Sequence, residues 1–203
     1  RDYGRGIPLK SVVDCVSKIN TGGKFNESSA YETAIGMNGV GVKAVNALSS
    51  KFIVQSWVNG KLKKAEFSNG KIVMDYPIET STEPNGTMVS FIPDETLFEN
   101  FHWYNEYIEV MMWNYVYLNR GLSINFNGKK YFSKNGLLDL LNNNVEGEML
   151  YPPIHIRDEE FEFAIVHTTR RYGEEYHSFV NSQNTTQGGT HQQAFREAIV
   201  KTI

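Results

Sequence analysis

Residues 36–68 read GMNGVGVKAVNALSSKFIVQSWVNGKLKKAEFS, and the hydrophobic period changes inside them. Val42, Val45 and Leu48 recur at helical spacing and are expected on the inner face of a short helix. From Lys51 the period is two. The stretches KFIVQSWV, KLKKAEF and KIVMDYPI are separated by NG and SNG, the common signals of tight hairpins, and TMVSFIP reads as a further strand. The stretch therefore predicts a helix feeding an antiparallel meander. A dinucleotide-binding fold is excluded, because its glycine fingerprint needs a preceding strand and a parallel sheet. A P-loop is excluded too. Gly36 and Gly41 have its five-residue offset, but Val42 and Lys43 follow where Lys and Ser or Thr are required.

Working outward, LKSVVDCVSKIN sets Val12, Val13, Val16 and Ile19 on one side of a helix that Thr21-Gly22-Gly23 ends. Beyond the meander, residues 101–119 predict a helix of about five turns. A hairpin about Asn127-Gly128 and a short helix over NGLLDLLNNN follow. A polar, acidic stretch near residue 146 marks an expected domain boundary, giving domains 1–146 and 147–203. After it, EFEFAIVHTTR and EYHSFVNSQ read as two long strands. A helix from about Thr190 then places Ala194, Phe195, Ala198 and Ile199 on one stripe. The fold class is α+β.

Composition removes several functions. The net charge of -3 gives no broad electrostatic case for nucleic acid. Cys15 is the single cysteine, which excludes an intrachain disulfide and a cysteine-rich metal site. No run approaches the length of a membrane-spanning helix.

Chemistry concentrates in four places. Gly36, Gly39 and Gly41 lead directly into a helix, where unpaired amides of a glycine-rich turn can converge on a phosphate. In DYGRGIP (2–8), Asp2 can accept a hydrogen bond from an exocyclic amine such as that of adenine, while Gly4 and Gly6 let a flat ring approach. Lys24 is a cation beside two glycines, and Thr87 offers a hydroxyl at the start of a strand. Singly, each has an ordinary reading: a helix cap, a turn carboxylate, a solvated lysine, a turn hydroxyl.

Together, DYGRGIP, TGGKF, GMNGVGVKAVNALS, GTMVSFIP and QGGTHQQAFREA resemble, in order and spacing, the ATPase region of the B subunits of bacterial type II DNA topoisomerases. Those are DNA gyrase B and topoisomerase IV B, in the superfamily of Hsp90 chaperones, MutL and histidine kinases. The resemblance implies a sheet with helices on one face, of the Hsp90-like ATPase type, followed by part of an α/β transducer domain (ribosomal protein S5 domain 2-like). It implies ATP and Mg2+ as cofactors. Its partners would be DNA, the topoisomerase A subunit and a second B subunit in an A2B2 enzyme, in the cytoplasm and away from membranes. Asp2 would take the adenine amino group, with water shared with Thr87; Gly4, Arg5, Gly6, Ile7 and Pro8 would floor and rim the pocket. Tyr31 would lie near the ribose, and Gly36, Met37, Asn38, Gly39, Val40, Gly41 and Val42 would wrap the triphosphate beside Lys24. His191, in GGTH, is given no catalytic role.

The same resemblance sets limits. The family's general-base glutamate and magnesium-ligating asparagine stand upstream of the DxGxG turn, and its phosphate-contacting lysine lies beyond GGTH. None is in this chain, so it is expected to be an excised piece inactive as an ATPase by itself. GMNG stands where many gyrases have Leu-His between the glycines. Residues from about Phe25 to Gly39 are expected to lack order without nucleotide. Lys61, Lys63, Lys64, Arg170 and Arg171 are expected on solvated faces, with Arg170 and Arg171 able to meet DNA phosphates. Topoisomerase IV is favoured over gyrase, and a non-DNA ATP-binding module is the different-class alternative.

Overall fold

The structure, a computed structural model, describes residues 1–21, 39–169 and 173–202. These fall into two units, Arg1–His102 and Trp103–Ile203. Residue 146 lies inside the second unit, between its second helix and its third strand.

The first unit begins with a 3-10 turn, Leu9–Ser11, that runs into helix α1, Val12–Ser17. Helix α2, Gly41–Ala47, follows the glycine turn. Strands β1 (Ser49–Val58), β2 (Lys61–Ser68), β3 (Lys71–Asp75), β4 (Glu79–Thr80) and β5 (Gly86–Pro93) make one antiparallel sheet. Its order is β3-β2-β1-β5, with β4 added against β2. The hairpins turn where the sequence signals them. Asn59-Gly60 and Asn69-Gly70 both carry positive φ at each residue, the backbone that matches the twist of tightly joined strands.

Register decides which face is buried. Phe52 lies opposite Phe67 and Val54 opposite Ala65, so these four share one face of β1 and β2. Val12 and Val16 of α1 close over them, and all six are fully or almost fully buried. Ile7, Val13, Val42 and Val45 pack around this cluster, so the helices cover one face as expected. Phe52 and Phe67 meet edge to face at 6.0 Å.

Two residues expected to face inward do not. Helix α1 stops at Ser17, and Ile19 is 67% exposed because the chain is already extended at Lys18. Leu48 is 42% exposed: it caps the end of α2, where the chain turns away into β1. The buried residues of α2 are Lys43 and Asn46, beside the half-buried Val42 and Val45.

In the second unit, helix α3 (Asn105–Leu118) is shorter than expected. Strands β6 (Ser123–Phe126) and β7 (Lys129–Phe132) form the hairpin about Asn127-Gly128, and helix α4 spans Leu137–Asn144. Val116, Tyr117, Tyr131 and Leu140 are its buried apolar residues. Trp113 stacks on Tyr117 at 5.4 Å and meets the edge of Tyr131 at 5.2 Å.

Of the two long strands expected after residue 146, EFEFAIVHTTR holds one short strand, EYHSFVNSQ folds into a short pair, and a further short strand precedes both. Strand β8 (Ile154–Arg157) pairs β9 (Glu162–Ile165), and β10 (Phe179–Val180) pairs β11 (Gln183–Asn184). Neither pair joins the sheet of β5. The β10–β11 turn at Asn181-Ser182 carries positive φ at both residues, so the EYHSFVNSQ stretch folds back on itself. Helix α5, Thr190–Thr202, starts where expected. Phe195 packs on Phe163 at 4.8 Å, while Ala194 and Ala198 of the expected stripe are exposed.

Candidate functional site

Residues 1–8 cross the sheet at one corner, where Trp57 of β1 lies opposite Gly86 of β5 and Ser56 lies opposite Thr87. The Asp2 amide donates to the Thr87 carbonyl at 2.8 Å. Five residues on, the Ile7 amide donates to Ser56 Oγ at 2.8 Å, and Ser56 Oγ donates back to the Ile7 carbonyl at 2.8 Å. Ser56 is fully buried.

Two glycines make this crossing possible. Gly86 has φ +151, and a Cβ there would sit 2.1 Å from the Asp2 carbonyl oxygen. Gly6 has φ +77, and its Cβ would sit 2.6 Å from the Trp57 carbonyl oxygen. Any side chain at either position would push residues 1–8 off the sheet.

The Asp2 carboxylate folds back to accept the Gly4 amide at 2.9 Å. That bond fixes the carboxylate while leaving it exposed, so its remaining lone pairs can meet a ligand donor. Arg1 is anchored beside it: the guanidinium lies 4.3 Å from the Trp57 ring centre and bonds Glu83 at 2.8 Å. The sequence points to Asp2, Gly4, Arg5, Gly6, Ile7, Pro8 and Thr87, and the structure gathers this segment and Thr87 at one corner. It does not point to Ser56, whose strand position carries no motif, or to Gly86 as a contact point.

On the helical side of the first unit, Gly39 (φ +58), Val40 and Gly41 lead into α2. The helix is tied to α1 by polar side chains. Lys43 Nζ donates to the Thr21 carbonyl at 2.9 Å, and Asn46 Nδ2 donates to the Val16 carbonyl at 2.9 Å. Asn46 Oδ1 is buried with no partner among the described residues. Burial pushes the Cys15 thiol up, an effect that nearby Lys43 opposes. Lys24, Tyr31, Gly36, Met37 and Asn38 lie outside the described residues, as do Arg170 and Arg171. The expectation about order between Phe25 and Gly39 also lies outside them, except at Gly39.

In the β2 lysine run, Lys63 and Lys64 have partners within the sheet. Lys63 pairs with Asp75, and Lys64 pairs with Glu66 at 2.6 Å. The hydrogen bond from Lys64 holds the Glu66 carboxyl below its ordinary value.

The GGTH segment has a local structural explanation. Thr185 Oγ1 donates to Ser178 Oγ at 2.7 Å, and Ser178 Oγ lies 2.6 Å from His191 Nε2. Arg196 adds a second tie, to Glu174 at 2.9 Å. Gly188 has φ +74, and a Cβ on Gly189 would lie 2.8 Å from the His191 ring. Gly189 makes room for the imidazole that pins the β10–β11 pair to the start of α5.

Among known proteins, a family model described as DNA gyrase B matches residues 124–203. The B subunit of DNA topoisomerase 4 from Borreliella burgdorferi is 47% identical over 204 residues, covering all of this chain and 34% of that protein. The B subunit of DNA gyrase from Helicobacter pylori (strain J99) is 32% identical, covering all of this chain and 29% of that protein. The chain thus spans about a third of the length of these relatives. The crystal structure of the 43K ATPase domain of Thermus thermophilus gyrase B, in complex with an aminocoumarin, superposes with a TM-score of 0.78 at 28% identity. That match covers 97% of this chain and 55% of the other. By sequence along its whole length and by its fold, the chain belongs to the family of type II DNA topoisomerase B subunits, that of DNA gyrase B and topoisomerase IV B.

Proposed function

We propose that this chain carries the adenine side of the ATP site in the B subunit of an ATP-driven type II DNA topoisomerase, of the topoisomerase IV kind. The observation that carries this reading is the corner where Asp2 is bonded to Thr87 and held by Gly4, over two glycines that exclude side chains. A carboxylate fixed yet exposed, at a corner that two glycines let the backbone cross, suits a ligand with an exocyclic amine. Asp2 accepts the adenine amino group, with water shared with the Thr87 hydroxyl. Gly4, Arg5, Gly6, Ile7 and Pro8 form the floor and rim. Gly36 to Val42 and Lys24 take the phosphates, with Tyr31 near the ribose.

The hydrolytic base and the magnesium ligand come from residues upstream of Asp2 in the whole protein. This chain's contribution is binding and orientation. ATP binds the closed, paired form of two B subunits better than the open form, and that difference biases the pair toward closure. DNA cleavage belongs to the partner A subunit in an A2B2 enzyme, and residues 147–203 begin the transducer that links the nucleotide site to DNA passage.

The topoisomerase IV reading is supported by 47% identity to a topoisomerase IV B subunit, against 32% to a gyrase B subunit. A supercoiling assay on the whole enzyme tests it. Decatenation and relaxation without supercoiling are expected, whereas ATP-dependent negative supercoiling of relaxed circles assigns the protein to gyrase.

A further inference from the structure

Helix α1 is six residues long and ends with no continuing helix to bond its last carbonyls. Those carbonyls are met from elsewhere. The Lys18 amide donates to the Asp14 carbonyl at 2.9 Å, and Thr21 Oγ1 donates to the same oxygen at 2.8 Å. The Val16 carbonyl is met by Asn46, and the Thr21 carbonyl beyond the helix is met by Lys43. Both donors come from α2, and both are almost completely buried, Lys43 at 7% exposure and Asn46 at 1%.

Apolar packing alone holds α2 loosely, because Val42 and Val45 are only half-buried and Leu48 is exposed. The polar bonds are directional, and they set where the helix starts. The start of α2 is Gly41, the end of the glycine turn.

We propose that Lys43 and Asn46 are positioning residues of the nucleotide site, holding α2 against the end of α1 so that the turn amides from Gly39 to Gly41 face a polyphosphate. The inference rests on the ATP reading and assigns a job to two side chains that this reading leaves unused. It gives Lys43 a hydrogen-bonding role and leaves phosphate neutralisation to other groups.

Isothermal titration on the whole protein with adenosine, ADP and a non-hydrolysable ATP analogue tests it, using Lys43→Met, Lys43→Gln and Asn46→Leu. Lys43→Met removes the donor and keeps most of the stem. It is expected to leave adenosine affinity within about twofold and to weaken ADP and the ATP analogue by about tenfold, the worth of one lost hydrogen bond. Asn46→Leu should follow the same pattern. Lys43→Gln restores an uncharged donor and should recover most of the loss. Unchanged affinity for the ATP analogue in Lys43→Met overturns the proposal, as does an equal loss of adenosine. Failure of Lys43→Gln to rescue also overturns it, since the charge would then be what matters. A wild-type protein that binds none of the three ligands sinks the ATP reading itself, and so is told apart from these outcomes.

Discussion

Ser56→Ala removes one hydroxyl, and the structure sets the consequence. Ser56 Oγ both accepts from the Ile7 amide and donates to the Ile7 carbonyl, each at 2.8 Å. The substitution leaves two backbone groups of Ile7 without partners. Each hydrogen bond contributes about 1 kcal/mol net, and a fully buried orphan would cost about 1–3 kcal/mol. Ile7 is half-buried, so water reaches part of the gap and the low end applies. The expected loss is about 2 kcal/mol, which lowers the melting temperature of a unit of about 100 residues by about 8–16 °C. Because Ile7 and Asp2 lie on the same crossing segment, adenosine affinity should fall as well, by at most about 30-fold for that free energy. Thermal melting of this chain and adenosine titration of the whole protein read the two effects. Ser50→Ala is the control, since its exposed hydroxyl makes only bonds of 3.3 and 3.4 Å to Ile92 and Pro93. If Ser56→Ala melts within about 1 °C of wild type, the hydroxyl does not anchor the segment and the reasoning is refuted.

Gly86→Ala should be more damaging to binding than to folding: its methyl would overlap the Asp2 carbonyl, so the Asp2–Thr87 bond breaks and adenosine binding is lost in titration, while near-wild-type binding would contradict the close approach. Phe52→Ala opens a cavity in the fully buried cluster under α1 and should cost about 3–5 kcal/mol in denaturant melts. At Asp139, burial favours the neutral acid, but hydrogen bonds from Asn135 and Ser133 outweigh it and hold the carboxyl below its ordinary value of 3.8. A lowered carboxyl pKa adds stability above the unfolded value, and that stability is lost as pH falls through the folded value. Acid melts of Asp139→Asn should therefore lose less stability than wild type as pH drops below about 4, and parallel curves would remove Asp139 from the account.

The sheet was legible because every signal agreed: period two, Asn-Gly turns and a β-branched or aromatic inner face at Phe52, Val54 and Phe67. The ends of the helices were not. Periodicity puts Ile19 and Leu48 inward, but caps end both helices one or two residues earlier, and capping geometry leaves no apolar trace. The burial of Lys43 and Asn46 was hidden for a related reason. Pattern reading assigns polar residues to water, whereas the Val16 carbonyl at the end of α1 and the Thr21 carbonyl beyond it draw them in. In the second unit, EYHSFVNSQ reads as one strand because Asn181-Ser182 lacks the glycine that marked the other turns. For the candidate site, Asp2 and the glycines were visible as a motif. Ser56 was not, since its role comes from its register opposite Thr87.

Adenosine titration of Asp2→Asn in the whole protein tests the central claim most directly. Asparagine keeps an oxygen for the Gly4 amide, so the local turn survives, while the ionised acceptor offered to adenine is lost. The loss of a charge-assisted hydrogen bond should weaken adenosine, ADP and the ATP analogue alike, by roughly 10- to 150-fold, equivalent to about 1.5–3 kcal/mol. Wild-type affinity for all three ligands in Asp2→Asn would contradict the assignment of this corner as the adenine site.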